Sequence, residues 1–228
     1  MTTPGWEIPS DMNTSASPDR ILTTHVGSLP RPQALIDLYR SRAPAAQLEP
    51  ALRAAVADIV RQQCAAGIDI VNDGEFGKPM PSEVDYGAWT NYIYERLSGY
   101  EIQPLPEDFD VLGSILGQSK DRCDFADYYR TPEADTGDKG RLTHFPVNVG
   151  PIRYANHGPI QRDVANLKAA IAGTAAQRAF LTSVVTGVVI LPGSYYPDSE
   201  AQAAAVAEAM REEYRAIIDA GFDLQLDD

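Results

Sequence analysis

Apolar residues recur at helical spacing in several stretches, with short apolar runs between them. In EPALRAAVADIVRQQCAAG, Leu52, Val56, Ile59, Val60 and Cys64 form one stripe. That spacing predicts a helix with Pro50 in its first turn and Gly67 at its C-terminal cap. IQRDVANLKAAIAG repeats the pattern through Ile160, Val164, Leu167 and Ile171, and residues 198–221 repeat it through Val206, Met210, Tyr214, Ile217 and Ile218. Asp198 or Ser199 suits the N-cap of this last helix and Gly221 its C-terminal end. QALIDLYRSR and residues 83–98, with Trp89, Ile93 and Leu97 on one face, predict two more helices. Between the helices, ILTTHVGSLPRP, IDIVNDGE, LTHFPVNVGPIRY, RAFLTSVV and FDLQLDD read as strands, the first a short one broken by Gly27 and Pro30. Residues 100–140, rich in Pro, Gly and Asp, read as a long insertion with partial helix.

Alternating strands and helices predict parallel strands joined by helical crossovers, a fold that binds ligands at the carboxyl ends of its strands. AGIDIVNDGE and AGFDLQLDD are corresponding helix-to-strand joints. They bring Asp73 and the pair Asp227 and Asp228 to the tips of strands two and five, on one shared mouth. An aspartate also starts turns on its own account, but two adjacent acids repel unless something uses them. About five strands are counted here, where a closed barrel has eight in roughly 250 residues. The expectation is therefore an α/β fold of the (β/α)8 TIM-barrel type with only the first five βα units. It would occupy residues 21–228, after a flexible arm at 1–20. A last strand with an open parallel edge is an aggregation liability, so the expectation is a fragment of a longer protein in preference to an open, doubly wound sheet, with a homo-oligomer as a further option.

Composition narrows the class of partner. The 228 residues carry a formal net charge of −13, which repels nucleic acid and anionic membrane surfaces alike. No apolar run reaches the roughly 18 residues of a membrane span. The first twenty residues lack the charged start and apolar stretch of a secretory signal. The two cysteines, Cys64 and Cys123, suit a reducing cytoplasm better than a disulfide scaffold.

At TTHVGSLPRP, NDGEF and LQLDD taken together, the chain resembles the catalytic-domain family of cobalamin-independent methionine synthase. More narrowly, it resembles the shorter methionine synthase II-type relatives, from about Ile21 to Asp228. The resemblance implies a TIM barrel and a zinc ion that binds a homocysteine-like thiol as thiolate, which then attacks the methyl group of a folate donor. A free thiol, with a pKa of about 8.5, is mostly protonated at neutral pH, and a metal removes that proton. The resemblance also implies that Val26, Gly27 and Ser28, at the turn after strand one, meet the substrate carboxylate. Glu75 and Asp227 would hold its ammonium, a group with three donors and no acceptor. His25, Asp73, Asp228 and Tyr195 are further candidates for the pocket.

The family's zinc ligands, a histidine, two cysteines and a glutamate, follow the strand-five aspartate, so none is carried over to this chain. His25, His144 and His157 are far apart in sequence, as are Cys64 and Cys123, and none has the close spacing of a zinc site. After GE the family's folate enzymes carry an Arg- and Met-containing run. Here FGKPMPSEVDYG offers Lys78 as the nearby cation, and Tyr195 and Tyr196 stand where those enzymes stack a tryptophan. These departures leave room for another thiol or alkyl donor, as in superfamily members that open epoxides with coenzyme M. A non-catalytic half-barrel that binds a small ligand or pairs with a second chain is the reading from outside enzymology.

Overall fold

The structure is a computed structural model and describes residues 20–79, 88–104, 120–128, 144–189, 193 and 195–227. Asp228, most of the expected arm and much of the expected insertion lie outside the described residues. Helices α1 (Gln33–Arg40) and α2 (Ala45–Ala65) precede the two-residue strand β1 (Ile70–Val71). Then come α3 (Ala88–Arg96), β2 (Leu97–Pro104), the short α4 (Lys120–Asp124), β3 (His144–Tyr154) and α5 (Gly158–Ile171). The chain continues through β4 (Arg178–Val184), a 3₁₀ turn (Thr186–Val189), α6 (Ser199–Asp219) and β5 (Asp223–Asp227).

The predicted stripes form the core. Leu52, Val56 and Val60 of α2, Leu167 of α5, and Val206, Met210 and Ile217 of α6 are buried with Val71, Leu181 and Val184 of the strands. Asp198 caps α6 as expected, its Oδ1 accepting from the Ala201 N–H at 2.8 Å. Two details differ from the periodicity. Helix α2 begins at Ala45 behind Pro44, so Pro50 lies inside it and not in its first turn. Ile218, placed on the apolar stripe of α6, is exposed, and Glu213 is buried in that helix instead.

The sheet also departs from a simple run of parallel strands. β1, β4 and β5 form a three-stranded parallel sheet in the order β1-β4-β5, with Ile70 opposite Arg178 and Val184 opposite Asp227. β3 does not join it. It pairs antiparallel with β2, a strand inside the segment expected to be helix and insertion. Between Ser98 and Tyr100 this ladder shifts register, at Gly99. Gly99 has φ +93, and a Cβ there would lie 2.7 Å from the Pro151 carbonyl oxygen, so only glycine fits. The segment expected as strand one runs beside β1 without becoming a strand. Its Thr23 carbonyl accepts from both the Asp69 and Ile70 N–H groups at 3.1 Å, and Arg20 forms an ion pair with the Asp69 carboxylate. The fold is thus mixed α/β, a parallel sheet and an antiparallel pair packed against helices.

Candidate functional site

The segment after β1, residues 72–78, is buried throughout. A buried turn has to find a partner for its backbone polar groups, and much of that satisfaction comes from distant side chains. Gln63, on the apolar stripe of α2, accepts from the Asn72 N–H at 3.0 Å and donates to the Asn72 carbonyl at 2.8 Å. The Gly74 carbonyl accepts from the Leu29 N–H, the Glu75 carbonyl from Arg31, the Phe76 carbonyl from the Tyr39 hydroxyl and the Gly77 carbonyl from Arg162. Two side chains fold back on the turn itself. Asn72 Oδ1 accepts from the Gly74 N–H at 2.8 Å and Asp73 Oδ1 from the Glu75 N–H at 2.9 Å. These contacts hold Glu75 at φ +60, a left-handed conformation uncommon for a residue with a side chain.

That backbone aims the Glu75 carboxylate at three partners. Oε2 accepts from the Ser28 hydroxyl at 2.6 Å, and Oε1 accepts from the Thr182 hydroxyl of β4 at 2.8 Å. The Lys78 ammonium lies 3.4 Å from Oε1 and also donates to Thr182. Gly27 sits at φ +82, a conformation that disfavours a side chain, and a Cβ there would stand 3.2 Å from Glu75 Oε1, close enough that the carboxylate would have to give by a few tenths of an ångström. Burial alone would raise the Glu75 pKa, but the Lys78 charge and the hydrogen bonds from Ser28, Thr182 and Lys78 outweigh it and hold the carboxyl below its usual value. Burial pulls the Lys78 pKa down, against the opposing charges of Glu75, Asp73, Asp227 and Glu213.

Asp73 has the reverse environment. Burial, then the nearby Asp163 charge, push its pKa up to about 7 despite the Glu75 N–H and Lys78. It lines a cavity of about 10 Å³ together with Lys78, Tyr92, Arg96, Asp163, Thr182 and other residues. A second buried charge cluster lines the same cavity. Arg96 Nε lies 3.0 Å from Glu213 Oε2, its guanidinium Nη2 lies 3.2 Å from Asp163 Oδ2, and it stacks over the Tyr92 ring at 4.1 Å. Glu213 also accepts from the hydroxyls of Tyr92, Tyr154 and Ser183. A buried carboxylate with this many partners is compensated, as a charge away from water must be.

The expected site residues are gathered only in part. Asp73 and Glu75 lie in the turn just described, and Gly27 and Ser28 meet the Glu75 carboxylate from the segment beside β1. Asp227, at the end of β5, accepts from the Gln225 side chain at 2.7 Å, and its charge acts on Lys78. Val26 is 85 % exposed beside them. His25 has other partners, since its Nε2 is 2.9 Å from Gln63 Oε1 and its ring meets Phe180 edge-on. Tyr195 is exposed and meets the Tyr196 ring at 5.0 Å, while the Tyr196 hydroxyl accepts from the Ile152 N–H. Asp228 lies outside the described residues.

Among the described residues, no three His, Cys, Asp or Glu side chains form a group that could hold a metal ion. The described residues do not fit the zinc that the resemblance implies. Arg31, Tyr39, Gln63, Arg162 and Thr182 were not singled out from the sequence. A usable signal exists for Gln63, Asp163 and Glu213: each is a polar residue at a helical position that faces the core.

A parallel sheet with acidic strand tips, held by helices and a buried charged turn, places the chain in a class of fold similar to B12-independent methionine synthases. A B12-independent methionine synthase from Shewanella sp. W3-18-1, solved in complex with selenomethionine, superposes with a TM-score of 0.58 at 20% identity, covering 90% of this chain and 51% of that one. A candidate vitamin-B12-independent methionine synthase from Listeria monocytogenes superposes with a TM-score of 0.58 at 23% identity, covering 92% and 53%. In sequence, the chain is 26% identical over 211 residues to a methionine synthase of Sulfolobus acidocaldarius, covering 90% of this chain and 51% of that protein. No protein-family model matches. The chain spans about half the length of the relatives it matches. No helix among the described residues is long and apolar enough to cross a membrane.

Proposed function

We propose that this chain forms the thiol-binding part of a cytoplasmic S-methyltransferase of the methionine synthase kind, transferring a methyl group from a folate donor to a homocysteine-like thiol. The observation that carries the reading is the convergence of the exposed Ser28 hydroxyl and the buried Glu75, Thr182 and Lys78 side chains in one hydrogen-bonded cluster, with the Asp227 charge acting on the same ammonium. Likeness in sequence and fold to methionine synthases supports it. In this reading the backbone at Val26–Ser28 receives the substrate carboxylate, where Gly27 at φ +82 lets a ligand approach the chain closely. The wired turn 72–78 keeps the charged groups in place before substrate arrives, so little reorganisation is needed on binding.

The test is an assay of the full-length protein with methyl-folate and homocysteine, together with a measurement of bound zinc. Methionine formation is expected. Absence of both methyl transfer and thiol binding would remove the reading. A second reading, a related alkyltransferase with another thiol or donor, is favoured by Tyr195 and Tyr196 standing where a tryptophan is expected. Product analysis with alternative alkyl donors separates the two.

A further inference from the structure

We propose that Lys78 occupies the place of a ligand ammonium, so that the site takes a thiol carrying no amino group. This deepens the thiol-site reading above and rests on it.

The Glu75 carboxylate already has partners within the chain. The resemblance assigns it to a substrate ammonium, but its Oε2 is taken by Ser28 and its Oε1 is shared by Thr182 and the Lys78 ammonium at 3.4 Å. The residue is 2 % exposed and Lys78 is 5 % exposed. Asp227, the other carboxylate expected to grip the ligand nitrogen, acts on Lys78 as well. The Glu75 carboxylate thus already holds a positive nitrogen, and the chain itself supplies it.

Lys78 is also placed to stay there. Its N–H donates to the Glu75 carbonyl at 3.0 Å, and its own carbonyl accepts from Arg31 at 3.3 Å. Its ammonium donates to Thr182 and lies 5.3 Å from the Tyr92 ring centroid. An amino-acid ligand would bring a second cation to the same carboxylates. Two like charges about 5 Å apart, at an effective dielectric of about 20, weaken binding on the order of 100-fold. A thiol with a carboxylate and no amine avoids that repulsion and can still use the turn at Val26–Ser28.

The test compares two probes that differ only in the amine, homocysteine and 4-mercaptobutanoate, by titration calorimetry on the full-length protein. 4-Mercaptobutanoate is expected to bind at least about 10-fold more tightly. Lys78→Met removes the resident charge and should shift the preference toward homocysteine by at least about 10-fold, whereas Lys78→Arg keeps the charge and should retain the original preference. If Lys78→Met does not fold, the wild-type comparison decides alone. Tighter binding of homocysteine by the wild-type protein overturns the proposal and leaves the thiol site standing. Failure of both probes to bind overturns the thiol site, and this proposal with it.

Discussion

Replacing Asp73 with Asn should make the protein more stable, by an amount that grows with pH. Asp73 is buried and its folded-state pKa is raised from 3.8 to about 7, first by desolvation and then by the Asp163 charge. Because the folded value lies above the unfolded one, the fold favours the protonated acid. The resulting stability is fully present below about pH 4 and is lost as pH rises towards 7, where the folded carboxyl ionises. A gap of roughly three pKa units, at about 1.36 kcal/mol per unit, corresponds to about 4 kcal/mol at the alkaline end. Asn keeps the Oδ1 that accepts from the Glu75 N–H at 2.9 Å, so the turn retains its hydrogen bond while the titrating charge is gone. Urea unfolding of wild type and Asp73→Asn at pH 4, 5, 6, 7 and 8 reads the difference directly. It should be small at pH 4, widen through pH 6 and level off near pH 8. A difference that is flat across this range, or that widens toward acid, would refute the account of the Asp73 environment.

Three further substitutions probe the same wiring. Glu75→Ala leaves the buried Lys78 ammonium without its nearest carboxylate and should cost about 3–5 kcal/mol in urea unfolding. Gly77→Ala puts a Cβ 2.2 Å from Asp163 Oδ1, so a loss of about 1–3 kcal/mol is expected from overpacking, read as a lowered melting temperature. Tyr154→Phe removes a 2.5 Å hydrogen bond to the buried Glu213 carboxylate and should cost about 1.5–3 kcal/mol. An unchanged unfolding midpoint would show that Glu213 does not depend on that hydroxyl.

Local pattern in the chain determined a good deal. The stripe through Leu52, Val56 and Val60, and the one through Val206, Met210 and Ile217, predict α2 and α6 because helical periodicity is written into neighbouring residues. The tips of β1 and β5 were legible for the same reason, each being a short apolar run that ends in acids. What could not be read there depends on residues far apart. LSGYEIQP has weak strand character of its own, and it becomes β2 because β3 pairs with it antiparallel. Gln63 and Glu213 look like interruptions of apolar stripes until the Asn72 backbone and Arg96 are seen to need them. Lys78 reads as the one cation near Glu75, but its destination is set by Thr182, 104 positions further on. Periodicity acts over a few residues, whereas a buried charge requires compensation from whatever the tertiary fold places beside it, and only the folded chain decides what that is.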